Sequence, residues 1–345
     1  MQKNRLRELI FSVTNKCNHK CKMCYYHQTL ADEMREMSIA EIESVSRSLG
    51  SIDRLWISGG EPLIRPDLVE ICRIFHRNNG VRHFFLPTNG SMPDRIAETA
   101  ESIADLSPQV SLQIMFSMEG KEEVHDAIHQ KSGAFKKIVA SVELLQRTRL
   151  RRIHQNKPIF SVLMNTVVTN QNSHEVIPLM EWVIEHLWVD LHTYSPVRGN
   201  ALDPAHSQID AEEFGLLFEQ ALPVFKRYLA RKFGTRTPSE QGLESIEKRY
   251  GSWLNVLRGG SLGTPCVAGE GIGVLEPNGA VRVCELKPVV GNVRSLLHDF
   301  NEVWNSDAAQ DMKATVAGCS CTHACFMNAS EQFATDTQRL DTSLM

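Results

Sequence analysis

Three cysteines fall within eight positions near the start of the chain, Cys17, Cys21 and Cys24 in SVTNKCNHKCKMC. Thiols this close, in a chain without export features, read as metal ligands before they read as disulfides. Zinc is one occupant; it needs a fourth ligand, and His19 or His27 is near in sequence. An iron–sulfur cube is the stronger reading, because cluster ligands are cysteine thiolates, and three of them leave one iron without a protein ligand. A second group comes late. Cys266 and Cys284 bracket Gly279 in the pattern Cys266-x12-Gly279-x4-Cys284, and Cys319, Cys321 and Cys325 follow. A hairpin between Cys266 and Cys284 would set two thiolates side by side, which suits one metal site. A structural zinc knuckle with His323 among its ligands is the alternative there. Cys72, alone in LVEICRIF, reads as core packing.

The elements that must position these residues are legible as alternating runs. ELIFSVT, DRLWIS, VRHFFLP, VSLQIMFS, PIFSVLMNTVVT and WVDLHTYSP have the composition of strands. Amphipathic helical patterns separate them, at about 38–50, 66–78, 93–105, 134–149 and 173–187. Ser38 and Glu41 spell a capping box at the first of these. Six βα units around a parallel sheet result, fewer than the eight of a closed barrel. The fold class is therefore α/β, a partial (β/α)6 barrel of the TIM type, with the cysteine loop at the strand end where ligands collect. Residues 210–257 read as a helical bridge. After it come the hairpin GIGVLEPNGAVRVC, with Asn278-Gly279 supplying the positive φ angles of its turn, a short helix at DFNEVWNSDAAQDM, and CSCTHAC. The expected division is 1–209, 210–257, a small cysteine-rich α+β module over 258–330, and a flexible polar tail over 331–345.

Composition narrows the functional classes. The 345 residues carry 37 basic and 41 acidic side chains, a net charge of -4, so nothing argues electrostatically for nucleic acid or an anionic membrane as the partner. No signal peptide and no apolar run of about 18 residues is present, and the expected location is the cytoplasm.

The C-x3-C-x2-C loop after a first strand resembles the signature of the radical S-adenosylmethionine (SAM) enzymes, and further landmarks follow in order. SGGEPLIRPDL is similar to the family's second-strand motif, LPTNG to its third-strand segment, and MFSMEGKEEVHDAIHQKSGAF to its fourth-strand block, commonly serine, apolar, Asp-Gly, then His-Asp and an arginine. The resemblance covers roughly residues 8–200. It implies that Cys17, Cys21 and Cys24 hold a [4Fe–4S] cluster whose fourth iron binds SAM. It implies that Gly59, Gly60 and Glu61 receive the amino group of SAM, and that Thr88 and Asn89 lie near its ribose. Ser117 and His129 would face SAM, and Met23 would stand where an aromatic residue often meets adenine. In this family one electron splits SAM into methionine and a 5'-deoxyadenosyl radical. Two departures stand out: Glu119 where aspartate is common, and His129 where arginine is common.

Cys266 to Cys284 also resembles the opening of the SPASM and twitch extensions, which carry auxiliary clusters. The resemblance implies one auxiliary [4Fe–4S] cluster, with Cys266, Cys284, Cys321 and Cys325 as ligands and Cys319 as the spare. A flavodoxin or ferredoxin would supply electrons. The implied substrate is a small metabolite or a peptide, with Glu119, His192, Tyr194 and Arg198 as pocket residues. No room for a leader-binding domain is visible in the sequence, which favours a small metabolite; a peptide maturase served by a separate leader-binding partner is the alternative. A zinc- or cluster-bearing scaffold without chemistry is the reading from another class.

Overall fold

Six parallel strands, paired in chain order, form the main body of the computed structural model, which describes residues 6–233, 237–316 and 318–342. They are β1 (Glu8–Thr14), β2 (Arg54–Gly59), β3 (His83–Thr88), β4 (Ser111–Ser117), β5 (Ser161–Val168) and β6 (Leu191–Pro196). The helices between them are α1 (His27–Ala31), α2 (Ile39–Leu49), α3 (Leu68–Asn79), α4 (Pro93–Ala104), α5 (Glu122–His129), α6 (Ala134–His154) and α7 (Val176–His186). The Ser38–Glu41 capping box starts α2 as expected. Short α1 and α5 were not legible, since each falls inside a polar, chemistry-bearing stretch rather than an apolar repeat.

Burial along the strands tells which face meets what. All seven residues of β1 are buried, as befits a strand flanked on both sides and covered on both faces. β4 and β5 alternate instead: Leu112, Ile114 and Phe116 are buried, while Ser111, Gln113, Met115 and Ser117 are half-buried. The half-buried set includes Met115 and Ser117 on β4 and Asn165 and Val167 on β5, all of which line an internal cavity. The barrel interior is thus left open at one end instead of filling with side chains.

The segment expected as a helical bridge is helical, forming α8 (Ala211–Phe233) and α9 (Thr237–Leu257), which pack on each other, with α8 also on α7 and β6. The Tyr250 hydroxyl donates to the Tyr194 carbonyl at 2.8 Å and accepts from the Tyr194 amide at 3.0 Å, so α9 satisfies backbone groups of the edge strand. The cysteine-rich C-terminal part adds to the sheet. Its hairpin strands, β7 (Ile272–Leu275) and β8 (Ala280–Arg282), together with β9 (Gly291–Asn292), continue the same sheet, because β7 pairs in parallel with β1 from Glu8↔Ile272 to Phe11↔Leu275.

The turn between β7 and β8 uses one positive φ, at Gly279 (87°), and not the two expected. Gly279 donates to the Glu276 carbonyl at 2.9 Å, closing a four-residue turn in which glycine takes the left-handed position. Beyond it lie α10 (Phe300–Trp304), α11 (Asp307–Val316) and α12 (Ala324–Thr342). The expected flexible tail is the second half of α12, and residues 343–345 of that tail lie outside the described residues. No helix among the described residues is long and apolar enough to cross a membrane.

Tyr250→Phe removes both hydrogen bonds to β6 while keeping the ring. The expected loss is roughly 2 kcal/mol or more of unfolding free energy, because buried backbone groups are left unpaired. Urea unfolding measures it, and an unchanged midpoint contradicts the edge-sealing role.

Candidate active site

The cysteine loop is held by hydrogen bonds at four strand ends, backbone ones except at β3. At β2, the Gly60 amide donates to the Thr14 carbonyl and the Glu61 amide to the Lys16 carbonyl, each at 2.9 Å. A Cβ on Gly59 would stand 2.2 Å from the Thr14 carbonyl oxygen, and one on Gly60 2.1 Å from that of Lys16; Gly59 also has a φ of +115°. Both positions must therefore be glycine for the loop to lie where it does. At β3, Asn89 Nδ2 donates to Asn18 Oδ1 at 2.8 Å, and Asn18 Nδ2 donates to Ser91 Oγ at 2.8 Å. Past β4, the Lys22 amide donates to the Ile128 carbonyl at 2.9 Å at the end of α5. Past β6, the amides of Leu202 and Asp203 donate to the carbonyls of Cys24 and Lys22.

The three thiols converge on one cavity, which also presents Met23, Gly59, Gly60, Glu61, Thr88 and Asn89. Ser117, Glu119, His129 and Arg198 line it too. Glu61 is fully buried and accepts from Asn89 N at 2.7 Å, Thr88 Oγ1 at 3.0 Å and Leu63 N at 3.3 Å. Thr88 and Asn89 therefore act first as holders of the Glu61 carboxylate. Burial pushes that carboxyl up to about 7 against these bonds, so a cation arriving beside it would meet a group ready to ionise. Glu119 and His129, noted separately as departures, touch each other: the Glu119 Oε2 atom is in hydrogen-bond contact with His129 Nε2. Burial raises the Glu119 carboxyl to about 7 and lowers the His129 imidazole to about 4, so both groups resist separate charge.

Two sequence-predicted pocket residues are corrected. His192 and Tyr194 lie on the outer parity of β6, fully buried. His192 contacts Thr166 Oγ1 at 2.9 Å, and Tyr194 packs in an aromatic core with Phe214, Phe225 and Tyr250. The opposite parity faces the cavity, through Ser195. Asn165 and Ser195, joined by a 3.2 Å hydrogen bond, were missed because isolated small polar residues on a strand carry no spacing signal. Tyr25 and Glu285 were missed as well; they meet at 2.7 Å across the cavity rim, and Arg198 sits on the Tyr25 ring at 4.5 Å.

Burial first, then Glu61 and Cys24, pushes the Cys17 thiol up to about 11, and burial raises Cys21 and Cys24 as well, so three thiolates require a compensating metal centre. Among the described residues, no three cysteines have their sulfurs within 4.8 Å of one another. Zinc thiolates need sulfurs about 3.8 Å apart, given Zn–S bonds of about 2.3 Å. Three cysteine thiols lining one cavity are the donor set that an iron–sulfur group takes. His27 Nδ1 is taken up by the Cys24 carbonyl at 2.8 Å, while His19, Cys21 and His129 bring their ligand atoms within 4.8 Å of one another, close enough to hold a metal ion.

The late cysteines influence one another. Burial raises Cys266, Cys284 and Cys321, and each is further raised by its neighbours: Cys266 by Cys319, Cys284 by Cys321 and Cys266, and Cys321 by Cys319 and Cys266. Cys325 has a further neighbourhood. It lines the cavity, raised to about 12 by burial against the pull of Arg198. His323, the candidate zinc ligand, is bonded to Glu285 at 2.6 Å.

Residues 11–183 match the family described as the Radical SAM superfamily, half of the chain. The chain belongs to the radical SAM superfamily. A scaffold without chemistry is thereby set aside, since this radical SAM enzyme has enzymes as its relatives. It is similar to the AdoMet-dependent heme synthase of Methanosarcina barkeri, 27% identical over 317 residues, covering 88% of this chain and 83% of that one. It is also similar to GTP 3',8-cyclase 1 of Pseudomonas aeruginosa, 27% identical over 191 residues, but spans only 52% of that protein. In fold, it resembles native anSMEcpe with bound AdoMet and Cp18Cys peptide, at a TM-score of 0.57 and 18% identity, covering 89% of this chain and 82% of that one. It also resembles Streptococcus suis SuiB bound to precursor peptide SuiA, at 0.56 and 15%, covering 94% and 73%.

Two outcomes follow from the site. Gly60→Ala displaces the cysteine loop, and anaerobically reconstituted protein should lose most of the iron held there while its far-ultraviolet dichroism persists. In the metal-free chain, the Glu61 carboxyl is raised when folded, so its stabilising share is complete below about pH 4.5 and is lost as the pH rises through about 7. Unfolding free energies should therefore fall across that window by roughly 3 kcal/mol relative to Glu61→Gln, and parallel pH profiles contradict the assignment.

Proposed function

We propose that this radical SAM enzyme binds SAM in the cavity at the strand ends and abstracts hydrogen from a small metabolite held under β4, β5 and β6. The observation that carries the reading is the convergence of Cys17, Cys21, Cys24, Glu61 and Ser117 on one enclosed space. The three cysteines would hold a [4Fe–4S] cluster, which supplies the electron that cleaves SAM to methionine and a 5'-deoxyadenosyl radical. Glu61, fixed by Thr88 and Asn89, would receive the ammonium of SAM; Met23 would pack against adenine, and Ser117 and His129 would line the carboxylate side. Trp56 and Phe85, stacked at 3.9 Å, and Met115 form an apolar floor that keeps water from the reacting carbon. Asn165, Ser195, Arg198 and Glu119 would orient the substrate.

Cys266, Cys284, Cys319 and Cys321 are the ligands we assign to an auxiliary iron–sulfur cluster, with Cys325 facing the substrate space. A flavodoxin or ferredoxin would be the electron donor. The heme synthase relative, matched over most of both chains, supports a small-metabolite substrate. A peptide is the second reading, supported by the fold shared with anSMEcpe and SuiB, both solved with peptides.

Reconstituted protein should be brown, carry about seven or eight irons, and form 5'-deoxyadenosine from SAM on reduction. Cys21→Ala should abolish that product. Cys284→Ala and Cys319→Ala should each cost about four irons and spare SAM cleavage, whereas Cys325→Ala should keep the full count. Deuterium transfer from labelled candidates into 5'-deoxyadenosine identifies the substrate. A reconstituted protein that leaves SAM intact under strong reductant overturns the function.

A further inference from the structure

Glu119, just past β4, and His129, the last residue of α5, form one buried contact. Glu119 and His129 are both buried to within 1% of complete, and they meet directly through Oε2 and Nε2. Glutamate is one methylene longer than aspartate, and imidazole is much shorter than the arginine side chain. A lengthened acid therefore meets a shortened base, and the gap between strand end and helix end stays closed.

What the pair holds is the centre of the cysteine loop. His129 Nδ1, on the far side of the ring from Glu119, lies 3.5 Å from Cys21 Sγ and 2.9 Å from His19 Nδ1. The His129 carbonyl accepts from Lys20 N at 3.4 Å, and the neighbouring Ile128 carbonyl from Lys22 N. Cys21 is thus bracketed on both chain sides by the end of α5 and in front by the imidazole. The ring is fixed from behind as well: His125 stacks on it at 4.0 Å, and His125 Nδ1 accepts from the Glu119 amide at 3.2 Å.

The same cluster is unfinished on the cavity side. Glu119 Oε1 and His19 Nε2 are buried without a hydrogen-bond partner, although both residues line the cavity. An arginine fork at 129 could donate to both carboxylate oxygens; an imidazole donates to one. Buried polar atoms left unpaired cost about 1–3 kcal/mol each, so these mark where a bound molecule supplies the missing donors and acceptors. Glu119, His125 and His129 also come within 4.8 Å as a possible metal triad, but the direct Glu119–His129 contact leaves a proton's space between them, not an ion's.

We propose that Glu119 and His129 are a single positioning unit: together they set the attitude of Cys21 and His19 toward the cavity, and the exchange of either residue type is tolerated only with exchange of the other. The proposal rests on the reading of the cavity as the SAM site. The parent enzyme's own response to SAM tests that reading, while the variants test the unit.

The experiment compares parent, Glu119→Asp, His129→Arg and the double variant, all full-length and anaerobically reconstituted. SAM affinity is measured by equilibrium dialysis, and the SAM-induced change in the resonance spectrum of the reduced protein is recorded beside it. Each single change should weaken SAM by about tenfold or more and blunt the spectral change, and the double variant should recover to within about threefold of the parent with the spectrum restored. A double variant showing the product of the two single losses overturns the unit, as do singles that bind SAM like the parent. Should arginine at 129 prevent folding, as judged by thermal melting, the cycle is run with Glu119→Gln and His129→Gln. There the double variant should be no worse than the poorer single, and additive losses overturn the proposal.

Discussion

Everything at the mouth of this barrel depends on how closely two stretches of backbone approach. The end of β2 lies against the start of the cysteine loop with no space for even one methyl group at Gly59 or Gly60. That contact is made of amide and carbonyl groups, so it fixes the loop without using any side chain that a ligand needs. It also explains why Glu61 follows directly: its amide completes the backbone ladder to Lys16 while its carboxylate turns the other way, onto Thr88 and Asn89. One residue thereby joins three strand ends, and the thiols inherit their positions from it.

Several polar side chains of this cavity are held in pairs, and the pairs link distant parts of the chain. Tyr25, next to Cys24, donates to Glu285, next to Cys284. Glu285 also meets His323, and Arg198 approaches it at 3.8 Å. The early and late thiol groups are therefore joined by a short buried polar network, not by a flexible linker. Desolvated ionic groups of this kind add little net stability when intact but are costly to leave half-made, which favours one arrangement of the rim over others.

Much of the barrel was legible because parallel strands buried on both faces write themselves as apolar runs, and the helices between them keep a 3.6-residue repeat. The cysteine spacing, SGGEP and PTNG were legible because a ligand-holding loop needs particular atoms at particular offsets. What escaped was parity and partnership. WVDLHTYSP announces a strand, but nothing local says whether Tyr194 or Ser195 looks inward, and the larger, more chemical-looking residues turned out to face the helices. The hairpin 271–284 announces itself too, yet its pairing with β1 is a contact across most of the chain. Likewise Cys319 and Cys325 are indistinguishable by spacing; Cys319 follows the end of α11, its amide on the Val316 carbonyl, whereas Cys325 sits in the first turn of α12 and lines the cavity.

The pairing of β1 with β7 sets an order of events during synthesis. β1 leaves the ribosome first, but its second neighbour arrives about 260 residues later, tens of seconds at the usual pace of about 5–20 residues per second. Through that interval one edge of the strand that feeds the thiol loop is uncovered, and the rim contributed by Glu285 does not yet exist. The C-terminal segment, arriving last, completes both the sheet beside β1 and the cavity lining, through Glu285, Ala324 and Cys325.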